Sequence, residues 1–188
     1  MRRMLPSRWS LALAGLLLAA TIAAVLPQIG PARAAEDPEN TLYLDLRYGR
    51  VEIRLRPDLA PRHVARIKVL TRKGFYDGIV FHRVIEGFMA QTGDPTGTGR
   101  GGSGQNIKAE FSSEPYLRGT AGMARASSPN SADSQFFITF RAAPHLNGGY
   151  TVWGQVVKGM EFVDKLRRGQ PPANPDKIIR MQVAADAK

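Results

Sequence analysis

Hydrophobic and polar residues alternate in the segment that begins just after residue 40. Leucine occupies every second position from Leu42 to Leu46, and Val51, Ile53 and Leu55 repeat that spacing beyond a turn at 48–50. A period of two matches a strand that buries one of its faces. The pattern predicts an amphipathic β-hairpin.

The spacing then changes to a helical one. Pro61 stands where a first helical turn tolerates proline. The apolar residues Val64, Ile67 and Leu70 follow at intervals of three, and a glycine at position 74 provides a stop. This segment predicts a first helix, and the segment MEFVDKLRRG, ahead of a proline-rich loop, predicts a second short one.

Six further segments have the composition of short strands between glycine-rich turns. They are residues 79–84, 88–92, 120–124, 135–140, 151–157 and 178–183. With the first hairpin they make eight strands and two helices. Short strands with such turns favour a closed antiparallel barrel or sandwich over a parallel sheet. We therefore expect a mainly β fold.

The first 34 residues differ in composition from the rest of the chain. An arginine-containing start precedes an apolar run at 11–26, and Ala32-Arg33-Ala34 resembles a signal-peptidase site. We predict a signal peptide at 1–34, followed by a short polar tether at 35–39. The protein is therefore expected in the periplasm. An uncleaved membrane anchor is the alternative, because a spanning helix needs about 20 apolar residues.

Composition narrows the chemistry that the remaining chain can perform. A chain of 188 residues, 43% of them hydrophobic, suits one globular domain, which we assign to residues 40–184. The absence of cysteine excludes disulfides, zinc–thiolate sites and thiol catalysis. Loss of residues 1–34 would remove four arginines and no acid, which lowers the formal charge from +10 to +6.

Polar side chains recur inside one apolar hairpin, FHRVIEGFMAQTGDP. The strand period places Met89 and Gln91 on one face, with Arg83 across a tight turn at 86–87. The same parity puts Gln135 and Phe137 together, opposite Phe136. Such a mixed face is either ordinary solvent exposure or a shallow site with an apolar floor.

The histidines have structural interpretations. His82 alternates away from Arg83, so we expect it to point inward with a hydrogen-bond partner, and His63 lies on the first helix. Three scattered histidines without paired carboxylates predict no metal site. We also expect no cofactor, because the loop GTGRGGSGQ lacks the lysine of a phosphate-binding loop.

Three motifs carry a family resemblance. FHRVIEGFMAQTGDPTGTGRGG, then SQFFIT, then LNGGYTVWGQVVKGMEFVDKL resemble the signature of the cyclophilins, the peptidyl-prolyl cis-trans isomerases, in the same order and at comparable spacing. The similarity extends over about residues 40 to 184. It implies a closed eight-stranded antiparallel barrel capped by two α-helices, with a proline-binding groove on its outer face.

The resemblance also implies the site residues. The catalytic residue is Arg83, and the matching groove positions are Phe88, Met89, Gln91, Ala124, Gln135, Phe137 and Leu146. Arg125, His145 and Tyr150 belong to the groove but replace the asparagine, tryptophan and histidine of the well-known cytosolic members. We expect Arg125 to hold substrate through its backbone. The missing indole at 145 predicts weak cyclosporin binding with catalysis retained.

An arginine suits the reaction that the resemblance implies. Rotation about a peptide bond faces a barrier of roughly 18–20 kcal/mol because resonance is lost in the twisted amide, and it needs no nucleophile because no bond breaks. A fixed guanidinium can stabilise that twist by donating to the nitrogen lone pair or by holding the neighbouring carbonyl. Arg83 stays charged at every working pH.

The favoured function is an exported isomerase that assists the folding of envelope proteins. Its partners would be proline-containing, unfolded or partly folded polypeptides, and the chain is expected to act as a monomer. A cyclophilin-like binding module or chaperone is the second possibility, but a pure binder need not keep a transition-state donor. A nucleic-acid surface is the third, and the export signal and the lack of aromatics on a basic stripe argue against it.

Overall fold

The structure is a computed structural model, and it describes residues 37–187. The predicted signal peptide at 1–34 and the first two residues of the tether lie outside the described residues, so export and anchoring stay predictions. Within 37–187 no helix is both long enough and apolar enough to span a bilayer.

The predicted hairpin is present at the start of the described chain. Strand β1 is Thr41–Leu46 and β2 is Gly49–Leu55, paired antiparallel with Leu42 opposite Ile53. The alternating apolar side chains of both strands are buried, which confirms the pattern. The turn itself is Arg47-Tyr48, one residue earlier than the sequence pattern placed it.

Helix α1, Pro61–Arg72, follows the hairpin and begins at the predicted proline. Its N-cap residue makes no side-chain cap. The carboxylate of Glu110 instead accepts the backbone N–H groups of Arg62 at 3.1 Å and His63 at 3.0 Å. A carboxylate satisfies these free N–H groups and complements the helix dipole. A loop distant in sequence therefore caps the helix.

The remaining strands complete one antiparallel sheet. They are β3 Arg83–Ile85, β4 Met89–Thr92, β5 Thr120–Met123, β6 Phe136–Thr139, β7 Val152–Lys158 and β8 Arg180–Val183. The sheet order is β3-β4-β6-β5-β7-β2-β1-β8, and it curls into a half-barrel. All eight predicted strands are present, most of them shorter than predicted. The third predicted strand, residues 79–84, differs most, because the observed β3 begins only at Arg83.

The prediction of a closed barrel is wrong for this structure. Strands β3 and β8 are the two edges of the sheet, and within residues 37–187 isolated bridges, Val80 to Lys177 and Val84 to Gly169, take the place of a continuous ladder between them. The segment that faces β3 contains Pro171, Pro172 and Pro175. Proline has no N–H to donate, so this segment cannot form a continuous ladder.

The second helix is shorter than predicted. Helix α2 is a single turn, Met160–Val163. A few residues later the backbone N–H of Arg167 donates to the Asp176 carboxylate at 2.9 Å, in place of a helical carbonyl. The chain therefore leaves the helical path well before the glycine at 169.

The hydrophobic core lies inside the curl of the sheet. Tyr76, Phe136 and Trp153 meet edge to face there, with ring centroids 5.3 to 5.6 Å apart. The expected core residues are buried in this cluster, namely Phe81, Phe136, Ile138 and Phe140. Phe137 points to the other side, into a smaller apolar cluster. This second cluster is the base of the site described next.

Candidate active site

Arg83 and Gln91 occupy facing positions in the β3–β4 hairpin. Directly opposite residues of an antiparallel pair present their side chains on the same face. Nη1 of Arg83 donates to Oε1 of Gln91 at 3.3 Å, and Nε donates to Oε1 of Gln170 at 3.2 Å. Two neutral amides therefore orient the guanidinium. Sequence reasoning missed Gln170, because it lies in a proline-rich loop distant in sequence.

A second glutamine continues this chain of hydrogen bonds. Nε2 of Gln91 donates to Oε1 of Gln135 at 2.9 Å. Nε2 of Gln135 in turn donates to the carbonyl oxygens of Gly99 at 3.0 Å and Gly101 at 2.8 Å. The polar groups of the hairpin that the sequence singled out are thus connected to the glycine-rich loop.

These residues border a cavity of about 250 Å³ on the outside of the sheet. Ten of the eleven predicted site residues line it, namely Arg83, Phe88, Met89, Gln91, Ala124, Arg125, Phe137, His145, Leu146 and Tyr150. Gln135 lies behind Gln91 and lines a neighbouring depression. The structure thus brings ten of the predicted residues together around one cavity, while their roles in binding and catalysis stay predictions.

The floor of the cavity is apolar and closely packed. Met89 and Phe137 are only 1% and 5% exposed, and Leu146 is also buried. Tyr116 stacks beneath Phe137, with ring centroids 5.7 Å apart and an angle of 23° between the planes. Gly122 makes this packing possible, because a Cβ there would lie 2.7 Å from Cζ of Phe137.

Tyr116 was not found from the sequence, where it stands in a loop without periodicity. Its ring is buried and its hydroxyl makes no hydrogen bond within the described residues. Burial raises the pKa of this hydroxyl well above its ordinary value. Tyr116 thus supports the floor as an apolar, uncharged ring.

The rim of the cavity is aromatic. The rings of Phe88 and His145 lie 5.2 Å apart at an angle of 42°, and the ring of Tyr150 meets Phe137 edge to face at 5.9 Å. His145 comes from the short 3-10 turn Pro144–Leu146, which also supplies the buried leucine. The three-residue turn therefore contributes both to the rim and to the floor.

Arg125 uses its side chain within the protein. Nε and Nη2 donate to the carbonyl of Gly149 at 3.1 and 3.0 Å, and Nη1 donates to the carbonyls of Ala126 and Ser127. Its guanidinium carbon lies 4.6 Å from the centre of the Tyr150 ring. Arg125 thus joins the two loops on this side of the cavity.

One expectation about the histidines is confirmed in part. His82 is buried, as expected, but neither ring nitrogen has a well-aligned hydrogen bond among residues 37–187. Burial lowers the pKa of His82, and the nearby Asp94 and the side chain of Gln135 oppose that shift. The ring is therefore neutral near pH 7 and acts as a packing group behind Arg83.

The cavity combines a fixed cation with an apolar floor. Its lining residues include no carboxylate, no serine and no cysteine. Such a site can bind a small apolar ring and donate hydrogen bonds to an adjacent amide. It is not suited to nucleophilic attack on that amide.

Comparison with known proteins gives consistent results. The family model described as "Cyclophilin type peptidyl-prolyl cis-trans isomerase/CLD" matches residues 41–183. The "Probable peptidyl-prolyl cis-trans isomerase" of Brucella suis biovar 1 is 52% identical over 190 residues, which cover 92% of this chain and 96% of the relative. Peptidyl-prolyl cis-trans isomerase B of Bacillus subtilis is 45% identical over 122 residues, 64% of this chain and 85% of the relative.

Two solved structures are also similar. Cyclophilin AquaCyp293 from Hirschia baltica has a TM-score of 0.75 at 28% identity, covering 81% of this chain and 76% of that protein. A Cryptosporidium parvum cyclophilin type peptidyl-prolyl cis-trans isomerase, crystallised in the presence of the dipeptide Ala-Pro, has a TM-score of 0.71 at 31% identity. That match covers 76% of this chain and 98% of the other.

Proposed function

Because the chain belongs to the cyclophilin family and is a peptidyl-prolyl cis-trans isomerase, we propose that it acts on exported proteins, with Arg83 as its catalytic residue. The observation that carries the proposal is the position of Arg83. Its guanidinium borders an apolar cavity and is oriented by two neutral glutamines.

The proposed reaction is the rotation of an X-Pro amide without covalent chemistry. Twisting removes amide resonance and leaves a localised lone pair on nitrogen, against a barrier of about 18–20 kcal/mol. Arg83 donates to the lone pair or to the neighbouring carbonyl oxygen, and this interaction is strongest in the twisted state. The fixed position of the guanidinium means that little reorganisation is needed during the reaction.

The floor of the cavity holds the proline ring while the rest of the peptide rotates. Phe88, Met89, Phe137 and Leu146 provide the apolar surface for that ring. The cavity volume of about 250 Å³ suits a small ring better than a large cofactor. Proline-containing polypeptides are therefore the proposed substrates, with Gln91, Gln135 and the backbone of Ala124 and Arg125 beside the chain that enters the site.

The test of this mechanism is the isomerisation of a short X-Pro peptide by the full chain, native and Arg83→Ala. We expect Arg83→Ala to fold and to lose at least about tenfold in activity, equivalent to roughly 1.4 kcal/mol of transition-state stabilisation. Arg50→Ala is the matched control, because Arg50 pairs with Asp45 on the β1–β2 hairpin. Native turnover in folded Arg83→Ala would contradict the assignment.

Export is the second part of the proposal. The basic start, the apolar run and the Ala32-Arg33-Ala34 sequence support removal of residues 1–34 and release of the mature protein into the periplasm. Mass spectrometry of the protein from the envelope fraction tests this, and we expect a mature chain that starts at Ala35. An intact species that begins with Met1 in the membrane would replace release with anchoring.

A further inference from the structure

A buried carboxylate lies at the base of the glycine-rich loop, which we define as residues 93–104. Asp94 lies two residues beyond the end of strand β4 and is 0% exposed. Its Oδ1 accepts the backbone N–H and the hydroxyl of Thr96, both at 2.8 Å, and its Oδ2 accepts the backbone N–H of Gly99 at 2.6 Å. The loop folds closely around it, since a Cβ on Gly101 would overlap Oδ1.

Asp94 is a charged centre of this loop. Burial by itself would raise the pKa of Asp94, but the hydrogen bonds from Thr96, Gly101 and Gly99 outweigh burial and lower the pKa to about 2. The carboxylate is therefore ionised at every pH at which an enzyme of this kind works. Hydrogen bonds to an ionised acceptor are stronger than those between neutral groups, so they hold the loop in one conformation.

The same loop fixes the orientation of Gln135. The carbonyl oxygens of Gly99 and Gly101 can only accept hydrogen bonds, so the amide of Gln135 must turn its Nε2 toward them. Its Oε1 then faces the opposite way, toward Gln91. Gly99 is the direct link, because its N–H binds Asp94 and its carbonyl binds Gln135.

The orientation of Gln135 decides that of Gln91. Because Oε1 of Gln135 is an acceptor, Gln91 must present its Nε2 to it, at 2.9 Å. This leaves Oε1 of Gln91 as the acceptor for Nη1 of Arg83. With Gln91 turned over, an NH₂ group would face the guanidinium, and two donors do not bind each other. The direction of every bond in the chain thus follows from the two loop carbonyls.

We propose that Asp94 is a positioning residue for the catalytic Arg83, acting through the glycine-rich loop and then through Gln135 and Gln91. The proposal rests on the proposed function, in which Arg83 stabilises the twisted amide. It adds that the orientation of Arg83 depends on a carboxylate that does not line the cavity. The apolar floor that holds the proline ring is not part of this chain of bonds, so the larger effect falls on kcat and the smaller one on KM.

Asp94→Asn is the variant that tests the proposal. Asparagine is nearly the same size, and its Oδ1 can still accept from Thr96. Its Nδ2, however, would face the N–H of Gly99, so the contact that positions the Gly99 peptide is lost. We expect kcat for a short X-Pro peptide to fall about fivefold with KM within about twofold of native, since an interaction made only in the transition state lowers kcat.

A double-mutant cycle separates positioning from a general effect on stability. In the Gln135→Leu background the link to Gln91 is already absent, so we expect Asp94→Asn to lower kcat by less than about 1.5-fold. The matched control is Asp77→Asn, which removes a carboxylate that accepts the N–H of Met181 on strand β8. It is expected to keep the native kcat. All variants are full chains, and thermal unfolding confirms that each is folded at the assay temperature.

An equal loss of kcat in both backgrounds, or a native kcat in folded Asp94→Asn, overturns the proposal. If Asp94→Asn does not fold, Thr96→Val takes its place in the same cycle, because it keeps the carboxylate and the backbone bonds and removes one hydroxyl donor. Arg83→Ala distinguishes a failure of the proposed function from a failure of the positioning role of Asp94. A native rate in that variant overturns the proposed function, whereas a large loss there together with additive Asp94 effects overturns only the positioning role.

Discussion

Nη1 of Arg83 donates to Oε1 of Gln91 across paired positions of strands β3 and β4. The partner is a neutral amide, so it brings no negative charge that would offset the positive charge of the guanidinium at the substrate. Apart from this bond and the one to Gln170, its N–H groups make no hydrogen bond within residues 37–187. A catalytic cation needs both properties, since it must be held in place and still be able to donate.

Gln91→Glu tests the importance of this neutral partner. A carboxylate would form a charge-assisted pair with Arg83 and would no longer donate to Gln135. We expect kcat to fall about tenfold while the protein remains folded. The measurement is peptide isomerisation, with Gln182→Glu on strand β8 as the control. A near-native kcat in Gln91→Glu would mean that the charge of the partner does not matter.

Arg125→Lys tests the connection between the two loops at the cavity. A lysine has a single compact ammonium and cannot reach the carbonyls of Gly149, Ala126 and Ser127 together. The loop that carries Tyr150 should then move relative to Phe137, so we expect KM to rise about threefold with a smaller change in kcat.

Tyr150→Phe is the matched control for Arg125→Lys. It keeps the ring that packs on the guanidinium and on Phe137, so its KM should stay near the native value. If Arg125→Lys also leaves KM unchanged, the hydrogen bonds of Arg125 do not shape the binding surface.

Much of the fold could be predicted from the sequence because its signals are local. The period of two in residues 41–55 specifies both the pairing and the inward face of the first hairpin. The strand period places Phe136 and Phe137 on opposite faces of β6. The structure accordingly buries Phe136 in the main core and Phe137 in the apolar cluster at the base of the site. The open edge between β3 and β8 could not be predicted in this way, because it depends on which segment faces β3. That segment contains the three prolines.

The site could be predicted only in part, for a similar reason. Most of its lining residues lie within the three motifs that carry the resemblance, and Ala124, Arg125 and His145 lie beside them, so the resemblance identified them. Tyr116, Gln170 and Asp94 support the lining residues from loops, where no period predicts a partner. The unpartnered nitrogens of His82 show the same limit. The strand alternation predicted that His82 points inward, but it could not predict which groups surround the ring.

His145→Trp tests whether the rim limits cyclosporin binding. The imidazole of His145 lies 5.2 Å from the Phe88 ring, at the edge of the cavity. Tryptophan would add apolar area and an N–H donor there, so we expect inhibition to tighten by about tenfold or more. Inhibition titrations of both forms measure this, and kcat without drug serves as the control. A native enzyme inhibited as tightly as His145→Trp would show that another residue limits binding.

The stability of the protein toward acid should depend on Asp94. The folded pKa of about 2 lies below the ordinary value of 3.8, so between these values the unfolded state binds a proton that the folded state does not. Stability from this group is therefore complete above about pH 5 and is lost as the pH falls from about 4 to 2. The expected contribution at pH 7 is about 2 kcal/mol, since one pKa unit corresponds to about 1.4 kcal/mol.

Urea unfolding of the native protein and of Asp94→Asn at pH 7 and pH 2.5 measures this contribution. The difference between the two should be large at pH 7 and small at pH 2.5, and Thr96→Val should show a reduced version of the same pattern. An equal difference at both pH values would mean that Asp94 stabilises the loop without its charge.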